Sequence, residues 1–218
     1  MIFVVWAFIR FVIGGPEDNW ICDDGQWVKH GNPSAPMPSE KCPATSANKP
    51  ASELSAPIDR AIERITKKPF GIKISPQNSP VQPERFSGYH TGIDFEAFPD
   101  EAETDVPISA ICNGPLAVKK YASDYGGMAV QKCKLENQDI TIVYGHLKLS
   151  SITAIINQQL LSGDKIGILG KGFSTETDGE RKHLHLGTHK GATINTSGYI
   201  YNQTELNNWI DIAKYLSE

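Results

Sequence analysis

No field of positive charge runs through this sequence. Lys and Arg total 21 against 25 Asp and Glu, for a formal net charge of −4, so nucleic acid is not an expected partner. No run reaches the ~20 apolar residues that a membrane-spanning helix needs. The N-terminal MIFVVWAFIRFVIGG comes nearest, apolar from Met1 to Ile13 except at Arg10. It has neither a basic leading region nor a small-x-small cleavage site, and it reads as an imperfect signal or anchor. Cys-x-x-Cys is absent, which argues against zinc-finger and thioredoxin readings. No internal repeat is evident.

What is present fits a soluble globular chain with one real core, since apolar residues make up 39% and charged residues 21%. The 218 residues allow one domain with appendages or two small ones. The expected division is 1–15 as hydrophobic anchor or signal, 16–56 as a small Cys/Trp segment with a Pro/Ser/Ala-rich linker, and 57–218 as the main domain. Four cysteines beside an export-like segment suggest two disulfides. Cys22–Cys42 and Cys112–Cys133 are the economical pairs, one of three possible pairings. Trp20 and Trp27, which flank Cys22, are expected to pack locally.

Ile58, Ala61, Ile62 and Ile65 recur at helical spacing, so a helix is expected over 57–68, with Pro57 in its first turn and Pro69 beyond its end. A second is expected over 203–216, with Leu206, Trp209, Ile210 and Ala213 on its apolar face. Between them the pattern changes to short β-runs with turns, at 71–74, 92–96, 108–112, 116–121, 128–134, 139–146, 165–169 and 183–188. The expected fold is mainly β: an antiparallel sandwich or barrel-like core with a few peripheral helices.

Three patches, YHTGIDFE (89–96), VYGHLK (143–148) and KHLHLG (182–187), hold four of the six histidines. In a strand, His183 and His185 point to one face while Leu184 and Leu186 point to the other. Alone, His-x-His is more often a solvated strand face than a metal site. His90 and Asp94 change this, because a turn at Gly92 can bring both to the same centre. Zinc accepts imidazole nitrogen and carboxylate oxygen, and a catalytic zinc keeps three protein ligands and an open position. His90, Asp94, His146, His183 and His185 are thus five candidates for three places.

His-x-Gly-x-Asp, then Tyr-x-His-Leu, then His-Leu-His resembles the signature of lysostaphin/LytM-type zinc peptidases. The resemblance continues through 106–110, Asn113-Gly114, 125–130 and 162–167, covering roughly residues 84–190. It implies that His90, Asp94 and His185 hold Zn2+ and that His146 and His183 form the catalytic pair. His183 is preferred as base, and the other histidine is expected to donate to the oxyanion. It further implies an endopeptidase acting on peptidoglycan stem peptides, outside the cytoplasm, anchored or secreted. A catalytically silent wall-binding or regulatory domain and a zinc amidase are the alternatives. Silent forms are expected to have lost site residues, whereas all five are retained here.

Two features depart from the family pattern. The stretch 172–182 is unusually charged, with Glu176, Asp178, Glu180 and Arg181. It reads either as a solvated loop or as a rim meeting charged stem-peptide groups. The Cys112–Cys133 pair looks like an added staple. Arg85, Tyr89, Tyr125, Glu180 and Arg181 are possible substrate contacts, while His30 and His189 are expected at the surface.

Overall fold

The computed structural model describes residues 19–23, 26–40 and 54–216, the side chains of 21–23 excepted. The chain divides into two units, Met1–Ala51 and Ser52–Glu218. In the first, strands β1 (Asn19–Asp23) and β2 (Gln26–His30) form an antiparallel hairpin. Both tryptophans tie it to the segment that follows. Trp20 Nε1 donates to the carbonyl of Ala35 at 2.8 Å and Trp27 Nε1 to that of Glu40 at 2.9 Å. The expected Cys22–Cys42 pair and the segment 1–15 fall outside the described groups. Among the described residues no helix is long and apolar enough to cross a membrane.

The second unit is mainly β and antiparallel. Its strands are β3 (Lys73–Ile74), β4 (Gly88–His90), β5 (Gly92–Glu96), β6 (Pro107–Ser109), β7 (Gly114–Ala122), β8 (Gly126–Leu135), β9 (Gln138–Leu147), β10 (Gln159–Leu160), β11 (Lys165–Ile168), β12 (His183–Lys190) and β13 (Tyr199–Ile200). The main sheet has the order β10-β7-β8-β9-β12-β5, and two small sheets, β11-β6 and β13-β4-β3, accompany it. Alternation divides its faces. Ile93 and Phe95 of β5, Ile140, Ile142 and Tyr144 of β9, and Leu184 and Leu186 of β12 enter one core with Ile108 and Ile166 from the β6–β11 pair. Met128, Val130 and Val143 form a smaller apolar cluster with Tyr125.

The strands of the main sheet match their sequence patterns to within two residues at each end, the strand expected over 108–112 stops three residues early at Ser109, and the two expected helices do not form. Over 57–68 there is only a 3-10 turn at Ile62–Arg64. The carbonyl of Pro57 accepts from Ser109 N of β6 at 2.8 Å, and Arg60 sits at φ 53, which no helix interior tolerates. Arg64 is buried and grips Glu101 through two nitrogens at 2.6 and 2.7 Å. Over 203–216 two 3-10 turns, Gln203–Asn208 and Ile212–Tyr215, flank an extended break. There Ile210 N donates to Thr188 O at 2.9 Å and Trp209 bridges His189. In both segments, pairing with a strand wins over helical periodicity. Residues 54–56, expected as linker, are anchored instead: Leu54 is buried and bridges Leu216, and Ser55 N donates to Ile111 O at 2.9 Å.

Cys112 and Cys133 are disulfide-bonded, with Cα atoms 6.1 Å apart. Beside them Gln131 Nε2 donates to Cys112 O at 2.8 Å, Tyr144 Oη donates to Gln131 Oε1 at 2.9 Å, and Ile111 N donates to Tyr144 Oη at 3.0 Å. A buried network so fully paired fixes the β6–β7 connection against β8 and β9. The disulfide closes a 21-residue separation, for which loop-closure entropy predicts about 3 kcal/mol. Cys112→Ser with Cys133→Ser is expected to lower the urea midpoint and to steepen the slope, as the unfolded chain loses its cross-link, in equilibrium unfolding followed by tryptophan fluorescence.

Candidate active site

Three adjacent strands set the site. In β12, His185 lies opposite Asp94 of β5 on one side and Gly145 of β9 on the other, and His183 lies opposite Glu96. His90 arrives from a different sheet. The chain crosses from β4 to β5 at Thr91, whose N–H donates to Gly198 O at 3.0 Å and whose hydroxyl hydrogen-bonds Ser197 O. The turn expected at Gly92 thus falls one residue earlier, at Thr91, and Gly92 itself opens β5, where it supplies space. A Cβ there would lie 2.7 Å from His185 Cε1 and from Leu186 O.

His90 Nε2, Asp94 Oδ1 and His185 Nδ1 form a triangle with sides of 3.0, 3.1 and 3.3 Å. Ligands at about 2.0–2.1 Å around a tetrahedral zinc stand roughly 3.3 Å apart, so the donor set fits one face of such a shell. His90 Nδ1 faces the carbonyl of Pro69 at 3.3 Å. A carbonyl only accepts, so that nitrogen carries the proton and Nε2 keeps its lone pair. His185 Nε2 is buried without a hydrogen-bond partner. All three residues are at most 4% exposed. Burial, opposed by the contact with Asp94, pushes the His185 imidazole down to about 4, leaving it in the neutral form that ligates. Burial alone would raise the Asp94 carboxyl, but His183 and His90 beside it hold it well below its ordinary value.

His146 reaches this face through a bulge. Gly127 pairs with Leu147 but Ala129 with Tyr144, so Met128 opposes both Gly145 and His146, and His146 takes φ 61. Such a bulge re-aims a side chain out of the strand alternation. Gly145 is required because a Cβ there would lie 2.4 Å from Tyr125 Cδ1. The His146 and His183 ring centroids are 4.3 Å apart. His183 Nδ1 donates to Arg181 O at 2.9 Å and His146 Nδ1 to Thr177 O at 3.3 Å. Each ring thereby has Nδ1–H committed to a main-chain carbonyl, and His183 Nε2 lies 3.3 Å from Asp94 Oδ2. Burial, reinforced by His183 and His185, keeps the His146 imidazole well below its ordinary value.

The two carbonyls that fix these rings both come from the charged loop, which is not simply a solvated rim. Thr177 is fully buried, and its hydroxyl bonds Glu180 O at 2.7 Å. Glu176 accepts from Lys171 N at 2.9 Å. Arg181 lines the cavity from a buried position, only 7% exposed, with Nη2 at 2.8 Å from Asp94 Oδ2. Glu180 pairs with Arg85 at 2.9 Å, and Arg85 also meets Asp178 at 3.0 Å and Asp124 at 3.5 Å. Arg85 is half-exposed, with its guanidinium between three carboxylates.

A cavity of about 490 Å³ opens here, lined by Asp94, His146, His183, His185, Tyr125 and Arg85 among others. Tyr125 donates to Thr196 O at 2.9 Å and packs against His146 and His185. Tyr89 lies outside it, beside Gln203. His189, expected at the surface, is half-buried against Trp209. Glu96 escaped the sequence reading, though its spacing from Asp94 puts both on one strand face. Lys68 and Tyr199 escaped it with no signal at all. Buried Lys68 meets Glu84 at 2.5 Å and Tyr199 Oη at 3.1 Å, and Tyr199 stacks on His90.

The family model described as Peptidase family M23 matches residues 88–197, just over half of the chain. Among solved structures, LytU is 25% identical over 70% of this chain and 83% of its own, with a TM-score of 0.47. Helicobacter pylori Csd3 is 24% identical, with a TM-score of 0.43 over 70% of this chain. The present chain spans 36% of the Csd3 chain. A zinc containing peptidase from Vibrio cholerae is 20% identical over 67% of this chain and 41% of its own, with a TM-score of 0.41. No curated protein matches.

Gly92→Ala tests the packing of the triangle directly. The added methyl must displace the His185 ring or the β12 backbone, at a cost of about 1–3 kcal/mol. The variant is expected to melt earlier than the parent and to retain less metal after gel filtration, measured by elemental analysis.

Proposed function

The chain belongs to peptidase family M23, and from that premise we propose that it is a zinc-dependent endopeptidase cutting peptide cross-links of bacterial peptidoglycan outside the cytoplasm. The observation that carries this reading is the three-donor triangle of His90, Asp94 and His185 with two tautomer-fixed histidines beside it. When bound, zinc supplies Lewis acidity, which polarises a carbonyl and makes water a competent nucleophile near neutral pH. The chain's own groups handle the proton. His183 Nε2, with Nδ1–H already committed to Arg181 O, takes a proton from the attacking water. The imidazolium so formed faces Asp94 Oδ2 at 3.3 Å, which stabilises it until it passes the proton to the leaving amine. His146 has the same commitment at Nδ1. It therefore accepts a hydrogen bond at Nε2 and orients the water, and it donates to an oxyanion only once protonated. This refines the expectation of a simple donor. Retention of all five residues supports an active enzyme over a silent wall-binding domain.

His185→Ala is expected to lose most of the bound zinc in elemental analysis. His146→Ala and His183→Ala are expected to keep it while turnover on purified wall falls on the order of 10²-fold or more. Near-parental turnover in both would contradict the assigned roles. Mass spectrometry of products from defined peptidoglycan fragments is expected to show new amino termini within the cross-links, with stem peptides still attached to sugar. Release of whole stem peptides from sugar would identify an amidase instead.

A further inference from the structure

Asp94 and Glu96 lie two residues apart on the same face of β5, opposite His185 and His183. Both are buried. Zinc takes carboxylate oxygen from either residue type, and the Glu96 side chain is the longer by one methylene. If both carboxylates were free to turn inward, they would compete for the centre. A fourth protein ligand would close the position that a catalytic site keeps open.

One side chain stands between them. Arg181 Nη2 is 2.8 Å from Asp94 Oδ2 and 2.5 Å from Glu96 Oε1, and Nε is 2.9 Å from Glu96 Oε2. Glu96 is thus held by two nitrogens along one edge of the guanidinium. Asp94 is held through Oδ2 alone, and its Oδ1 stays with His90 and His185. Lys67 also approaches Glu96, at 3.5 Å, but from an exposed position. The planar fork of arginine suits this double hold, whereas a lysine ammonium is a point charge without the fork. The loop fixes where the fork sits. Phe173 N and Thr177 Oγ1 both donate to the carbonyl of Glu180, and the carbonyl of Arg181 receives His183 Nδ1.

We propose that Arg181 is a positioning residue that divides two neighbouring carboxylates, fixing Asp94 as a one-oxygen ligand and holding Glu96 off the metal. The role rests on the zinc reading of the site. It differs from a rim contact because Arg181 acts on the protein's own ligand set.

The test uses the full chain loaded with Co2+, whose visible absorption reports ligand number and type, together with zinc competition against a chromophoric chelator. The parent protein is expected to bind one cobalt. R181M is expected to keep its metal yet show a changed cobalt spectrum, with turnover lower by about tenfold or more. R181K is expected to resemble R181M. In R181M/E96Q the cobalt spectrum is expected to return to the parental form, because a carboxamide is a poor competitor for the open position. An R181M spectrum identical to the parent's would overturn the proposal, as would an R181M/E96Q spectrum as altered as that of R181M. If R181M does not fold, R181K against R181K/E96Q carries the same contrast with the buried charge retained. A parent protein that binds neither cobalt nor zinc would instead overturn the zinc reading itself, and the role of Arg181 with it.

Discussion

The register that sets His185 between Asp94 and Gly145 constrains everything else in the second unit. Because side chains alternate along a strand, one register decides both what enters the core and what faces the cavity. Leu184 and Leu186 lock β12 into the main core, and this forces His183 and His185 to the opposite face. A slip by one residue would bury the imidazoles among isoleucines and expose the leucines. The apolar side of the sheet therefore supplies the precision that the polar side needs.

The polar face brings charge into a region with little water, and each charge has a partner there. Lys68 meets Glu84 beside Tyr199, and Arg181 meets Asp94 and Glu96. Such pairs add little net stability over apolar packing, but removing one member leaves a buried charge alone, which is costly. Their contribution here is geometric. The Lys68 backbone carbonyl accepts from Asp94 N at 3.0 Å, and Tyr199 stacks on the His90 ring. The triangle is thereby held from behind as well as from its own strands.

These two layers differ in how far they can be read from the sequence. The alternation of β5, β9 and β12 is local, so the strands and the inward direction of His183 and His185 are legible in a few residues. The convergence of His90 with them rests on the ordered motifs, because two sheets meet there. The helices expected over 57–68 and 203–216 fail for a non-local reason, since the bonds that unwind them go to Ser109 and Thr188. Arg181 fails for a similar one. A charged residue in a loop reads as exposed unless its partners are known, and Asp94 and Glu96 lie 87 and 85 positions away. The bulge at His146 leaves only Gly145 as a trace.

Nδ1 of His146 is matched to the carbonyl of Thr177 and Nδ1 of His183 to that of Arg181. Many enzymes give this task to an aspartate or asparagine side chain, which a single base change in the gene can erase. A carbonyl belongs to every residue type. Point substitutions along 171–181 can therefore alter loop packing and still leave the acceptor in place, while an insertion or deletion shifts both acceptors together. In this protein the tautomers of His146 and His183 are inherited through the length of one loop more than through its letters.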